Sequence, residues 1–150
     1  MTNLKEIAAK INKLKEEYTE IAKKEIFESF KEFFKNYPEV YAIRWEQYTP
    51  HFNDGDACTF SVGEAEYFYS EKDLDNGDYY TSWHEPNYEN LKALGVDVHI
   101  SRASFIHKEF CKLSKGLSEI DSDVFMSIFG DHVQAVATKD GIEVDEYDHD

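Results

Sequence analysis

The chain has 150 residues, is 41% hydrophobic, contains 11 Phe, 10 Tyr and 2 Trp, and carries a formal charge of −15. That is the size of one domain with one core, and it is too rich in large apolar side chains to be a disordered chain. The acidity disfavours nucleic acid and membrane surfaces as partners, no apolar run nears the roughly 18 residues of a membrane span, and Met1-Thr2-Asn3-Leu4-Lys5-Glu6 lacks a signal-peptide run, so the expected location is the cytoplasm.

The charge is unevenly placed. Residues 1–37 hold eight Lys and seven Glu, a net of +1, whereas residues 38–150 hold eight basic and 24 acidic residues, a net of −16. Between Glu46 and Glu89 there are eleven acids and one base, Lys72. Such a field attracts basic partners; it also serves plain solubility.

Asn3 to Asn36 carries one nearly unbroken helical pattern. Leu4, Ile7, Ile11, Leu14, Tyr18 and Ile21 follow the 3-4-3-4-3 spacing of a coiled-coil seam. The stripe then shifts through Ala22 to Ile26, Phe30, Phe33 and Tyr37, as at a stutter. Thr2 or Asn3 caps the start, and Pro38 ends the helix by excluding the α region from the residue before it. About 34 residues at 1.5 Å each span roughly 50 Å, while a compact chain of this length has a radius of gyration near 15 Å. The helix must therefore overhang the body, break at the stutter or pack on a second chain. The narrow seam of the first half reads as the projecting part, residues 1–21, and the aromatic second half as docked on the body, residues 22–147. Residues 148–150 read as an acidic tail.

Val40 to Tyr48 alternates and reads as a strand. Thr49 to Asp56 reads as a loop with Asn53-Asp54-Gly55 as its turn. Cys58 to Val62 and Glu66 to Tyr69 read as a returning strand, bent at Gly63. Residues 70–90 lack periodicity and read as a long loop, with Tyr79, Tyr80, Trp83 and Tyr88 packing on something. A short helix is expected around Asn90–Leu94, a longer one over Ser101–Lys115 stopped by Gly116, and a third capped by Ser122 and closed by Gly130. His132–Thr138 and Gly141–Tyr147 flank Asp140-Gly141, a hairpin turn whose positive φ angles that pair supplies. The expected class is α+β in one domain, 1–150: a long N-terminal helix and a four-stranded antiparallel sheet, two hairpins, with helices on one face.

Chemistry is sparse in this pattern. Cys58 and Cys111 are too few for a disulfide framework; a reducing cytosol favours free thiols. His107 and Cys111 lie four apart on one helix face, and His51, Asp54, Asp56 and Cys58 cluster near one loop. No paired-ligand spacing of a zinc site occurs, and core packing is the simpler reading of both cysteines, one within a strand and one on an apolar helix face. The acidic turns at 53–56 and 73–78 fail the EF-hand pattern, because Pro50 and Lys72 fall where its first carboxylate belongs. No metal, cofactor or catalytic residue is assigned.

The run from Arg44 to Val62 (RWEQYTPHFNDGDACTFSV) and the ending Thr138 to Asp150 (TKDGIEVDEYDHD) resemble a family of small uncharacterised bacteriophage and bacterial proteins. The resemblance implies a phage or prophage context, hence a host-cell cytoplasm, and no activity. Three classes stay open. The first is a non-enzymatic interaction protein that self-associates through Leu4, Ile7, Ile11, Leu14, Tyr18 and Ile21 and shows an acidic surface to a basic host or phage protein, as an inhibitor or decoy would. The second is a small-ligand binder or enzyme with a site between loops 49–58 and 70–90, built from Arg44, His51, Asp54, Asp56, Trp83 and His84. The third is a structural or virion component.

Overall fold

A computed structural model describes residues 3–51, 55, 58–84, 86, 87, 91 and 98–148. Helix α1 (Leu4–Asn36) runs 33 residues without a break, so the stutter shifts the apolar stripe but does not interrupt the helix. The Asn3 side chain caps it by accepting from the Lys5 N–H, and the Tyr37 N–H closes it onto the Phe33 carbonyl. Ala22, Ile26, Phe30, Phe33 and Phe34 are its buried residues. The first half makes none of these contacts and overhangs.

The sheet is antiparallel and built around β1 (Ala42–Tyr48). On one side of β1 lie β2 (Ser61–Val62) and β3 (Glu66–Phe68), and on the other β4 (Val133–Thr138), followed by β5 (Gly141–Glu146). The four strands expected are five because the returning strand is cut in two at its bend. Gln47 pairs with Val62 and Arg44 with Glu66, so β2 and β3 hold one residue more than β1 over that span, a β-bulge. Gly63 is the cause. Its N–H donates to the Glu46 carbonyl at 2.7 Å, and a Cβ there would sit 2.8 Å from the same oxygen. Backbone on both sides cannot move aside, so Gly63→Ala should destabilise the protein by about 1–3 kcal/mol in urea unfolding; an unchanged midpoint would show that the bulge yields.

Between β3 and β4 lie helices α2 (Glu71–Asn76) and α3 (Ile100–Ser118), then α4 (Ser122–Phe129). Helix α2 lies inside the stretch expected to be loop. Ser70 caps it and Gly77, at φ +73°, ends it. Helix α3 continues past Gly116, which does not stop it. The N-cap of α4 is Asp121, and Ser122 is the first helical residue. The β4–β5 turn takes its positive φ from Gly141 alone (+132°), not from Asp140 as well. Of the short helix expected at 90–94, only Leu91 falls within the described residues; it is helical and buried.

Period-two alternation sorts β1. Ile43, Trp45 and Gln47 are buried beneath the helices, and Arg44, Glu46 and Tyr48 on the other face are half-buried. The Trp45 ring stacks on Phe30 at 5.5 Å and meets Phe129 edge-on at 5.3 Å, which fixes the docked half of α1 and α4 to the same strand. Tyr67, paired with Ile43, packs on Phe110 at 4.4 Å and brings in α3. Among the described residues no helix is long and apolar enough to cross a membrane.

Candidate functional site

Among the described residues, the seam of α1 lines up six exposed large apolar side chains on one helix. Leu4, Ile7, Ile11, Leu14, Tyr18 and Ile21 are between 38% and 81% exposed. Monomeric proteins scatter single apolar residues over their surface but rarely line up six of them. Most helical stability in proteins comes from packing an apolar face and less from propensity alone. Here the docked half anchors the helix, and the projecting half extends it without a second nucleation step.

The second surface is the face of the sheet that the core does not use. Cross-strand pairing sets Glu66, Arg44, Val136 and Glu143 in one row, and Glu46, Gln134 and Asp145 in the next. Four carboxylates therefore share the face with one guanidinium. Arg44 is engaged already, since its Nη2 lies 3.3 Å from Glu66 Oε1 and its guanidinium lies 4.9 Å from the Phe68 ring centre. Tyr48 and Tyr147 meet at the end of the face, ring centres 5.7 Å apart. The negative field is felt there: the Glu46 carboxylate is the main cause that pushes the Tyr147 phenol up, with burial second. At Tyr41, beside this sheet, burial comes first, and Glu71, Asp75, Glu143 and Asp140 add to it.

Glu66 is the strained member of this set. Burial raises its pKa, and Arg44, which lowers it, does not fully offset that. A carboxyl raised on folding contributes stability that is fully present below its unfolded pKa and is lost as pH rises through the folded one. Relative to Glu66→Gln, the parent protein should thus lose stability as pH rises above the ordinary glutamate pKa and through the raised one, measured as urea midpoints. A parent that instead gains on Glu66→Gln as pH rises would show Arg44 to be the stronger influence, and a gap that does not change with pH would show that the two cancel.

Of the six residues expected to form a ligand site, the four described ones, Arg44, His51, Trp83 and His84, do not meet in one place. Arg44 points to the acidic face. His51 stacks on His132 at 5.0 Å, beside Asp131 at the other end of β1. Asp131 accepts from the Thr49 N–H (2.8 Å), the Thr49 hydroxyl (2.7 Å) and the His132 N–H (2.8 Å). Burial pushes its carboxyl up, but these bonds outweigh it and hold the pKa below the usual range. His84 lies against Tyr80. Trp83, 89% exposed, lines a cleft of about 1140 Å³ between β2, α3 and the α3–α4 turn. Asp54 and Asp56 lie outside the described residues.

Sequence spacing did not reveal what lies at the wall of that cleft. The Tyr67 hydroxyl is 2.8 Å from His107 Nδ1, and His107 Nε2 is 3.5 Å from Cys111 Sγ. The i, i+4 spacing put His107 and Cys111 on one face. Tyr67, forty residues away, is brought in by the sheet. Cys58 and Cys111 are not joined in a disulfide; Cys58 is exposed and precedes β2 instead of lying within a strand, and Cys111 is half-buried at the cleft. Among the described residues, no three His, Cys, Asp or Glu side chains converge as a metal set. Comparison with family models, with curated proteins and with solved structures returns no match.

Proposed function

We propose that this is a non-enzymatic interaction protein, which joins a second chain through the projecting half of α1 and offers its acidic sheet face to a basic protein. The observation that carries the reading is the uncovered seam: six large apolar side chains in coiled-coil order, on the half of α1 that contributes nothing to the buried core. The acidic face supports the choice of a basic partner, because among the described residues Glu46, Glu66, Glu143 and Asp145 share their rows with one cation, Arg44. Lysine- or arginine-rich segments fit such a face by charge. The resemblance of residues 44–62 and 138–150 to phage proteins supports a host-cell setting, with an inhibitor or decoy role toward a basic host or phage protein.

The test is capture of a lysine-rich peptide at two salt concentrations. Raising salt from about 0.1 M to about 1 M shortens the Debye length from roughly 10 Å to 3 Å, and capture should fall with it. Glu143→Lys/Asp145→Lys, two exposed positions on β5, should abolish capture at low salt while leaving the unfolding midpoint in place. Salt-insensitive capture, or a double variant that still binds, would remove the basis for a basic partner.

A second reading has one observation behind it. The Tyr67–His107–Cys111 chain opening on the Trp83 cleft is a thiol with an oriented histidine beside it, which is the arrangement a nucleophile requires. A metabolite that raises the melting temperature of the parent protein but not of Cys111→Ser would favour it over the interaction reading.

A further inference from the structure

We infer that α1 pairs antiparallel with α1 of a second copy over residues 4–21, so that the two acidic bodies stand at opposite ends of the helix pair. This rests on the reading above that the seam is an association surface.

The flanks of the seam decide the direction. With Leu4, Ile11 and Tyr18 at a positions and Ile7, Leu14 and Ile21 at d, the g positions are Lys10, Glu17 and Lys24 and the e positions are Ala8, Lys15 and Ala22. In a parallel pair each g residue faces the e residue five places on in the other chain. Lys10 would meet Lys15 of the second copy, twice over by symmetry, and Glu17 would meet Ala22. In an antiparallel pair centred between Ile11 and Leu14, Leu4 lies opposite Ile21, Ile7 opposite Tyr18 and Ile11 opposite Leu14. Like positions then meet: Lys10 lies beside Glu17 of the second copy, again twice, and Lys15 beside Ala8. One direction yields two repulsions and the other two attractions from the same residues.

The bodies point the same way. Residues 38–150 of each copy carry a net charge of −16. A parallel pair sets two such bodies side by side. An antiparallel pair holds them apart by the overlap, 18 residues or about 27 Å at 1.5 Å each, well beyond a Debye length of about 8 Å.

The cleft extends the contact. Two and a half heptads are few for a coiled coil that stands alone. Tyr18, however, belongs both to the seam and to the cleft wall, with Phe60, Val62, Leu117 and Ile120 beyond it. In the antiparallel register the first turns of the second copy arrive beside Tyr18 and therefore at this apolar wall.

The test uses the full chain and charge variants whose effects differ in sign. Lys10→Glu should weaken the dimer on the order of tenfold in sedimentation equilibrium at low salt, because two attractions become repulsions. Lys10→Glu/Glu17→Lys should restore it. In a Cys58→Ser background, a mixture of Leu4→Cys and Ile21→Cys chains should oxidise to a mixed disulfide found by peptide mapping, and neither variant alone should cross-link to itself through the new cysteine. A dimer that Lys10→Glu strengthens, or Leu4→Cys chains that cross-link to each other, would overturn the antiparallel arrangement while leaving self-association intact. A parent protein that stays monomeric across the concentration series would overturn both.

Discussion

Gln47→Leu should lower the unfolding free energy by about 3–5 kcal/mol, a large share of the 5–15 kcal/mol that holds a domain of this size together. Gln47 is fully buried in β1. Its Nε2 donates to the Phe125 carbonyl at 2.9 Å and to the Gly130 carbonyl at 2.7 Å, and its Oε1 accepts from the Trp45 indole N–H at 3.0 Å. One amide thus ties the middle and the end of α4 to the central strand and also satisfies the largest ring of the core. Leucine fills a similar volume, so no sizeable cavity forms and the loss is polar. Two carbonyls and one indole N–H are left buried without their partner, at about 1–3 kcal/mol each.

Gln47→Glu separates this account from one of shape alone. Its carboxylate would face two carbonyl oxygens in a buried site, and both effects disfavour the charged form. The folded pKa then rises above the ordinary glutamate value near 4.3. Stability in this variant is present below the unfolded pKa, where the acid keeps one O–H donor, and is lost as pH rises through the folded pKa. Gln47→Glu should approach the parent at about pH 4 and fall well below it at pH 7, with Gln47→Leu impaired at both. If Gln47→Leu costs less than about 1 kcal/mol, the amide is not the tie between α4 and the sheet.

How much of this was legible depends on the range over which each signal acts. The division of α1 could be read directly, since the change from a 3-4 seam to an aromatic stripe at Ala22 is local, and burial begins at Ala22. The bend at Gly63 was legible for the same reason. Gln47 was legible in part: it shares the parity of Ile43 and Trp45, which marks it as a buried polar residue, but its partners at 125 and 130 lie far along the chain. Helix α2 was hidden by composition. Its polar sequence, Glu71-Lys72-Asp73-Leu74-Asp75-Asn76, shows no apolar stripe, although Ser70 and Gly77 are ordinary helix-end residues. Gly116 misled because it is exposed on α3, where the cost of about 1 kcal/mol for glycine in a helix is tolerated without a stop. The ligand set misled because nearness in sequence stood in for nearness in space. Strand parity turns Arg44 away from the cleft that Trp83 lines, and the Asp131 hydrogen bonds hold the Thr49 end of the His51 loop at the far end of β1. The acidic face was legible only as a tally of charge. Which carboxylates share it depends on the β1–β4–β5 register, and that register brings Glu143 and Asp145 into line with Arg44 and Glu46.

Leu14→Glu should abolish self-association and leave the body untouched. Leu14 is 64% exposed and contacts none of the buried core, so its replacement removes no burial from the single chain. The unfolding midpoint at low protein concentration should therefore stay where it is, within the roughly ±0.5 kcal/mol usual for surface positions. In a pair of seams the same residue is buried twice, once from each copy. A buried leucine contributes about 1.5–3 kcal/mol, so two are worth about 3–6 kcal/mol, and the carboxylates that replace them must either be desolvated or hold the helices apart. The dimer constant should weaken by at least about a hundredfold. Lys13→Glu, one residue before it and at position c of the same heptad, faces away from the seam and changes charge without touching the apolar stripe. It should leave association nearly unchanged. The contrast between positions 13 and 14 distinguishes a seam from a general electrostatic effect of added acid. If sedimentation gives the parent and Leu14→Glu the same mass at every concentration, the seam joins no second copy, and the six exposed side chains need another occupant.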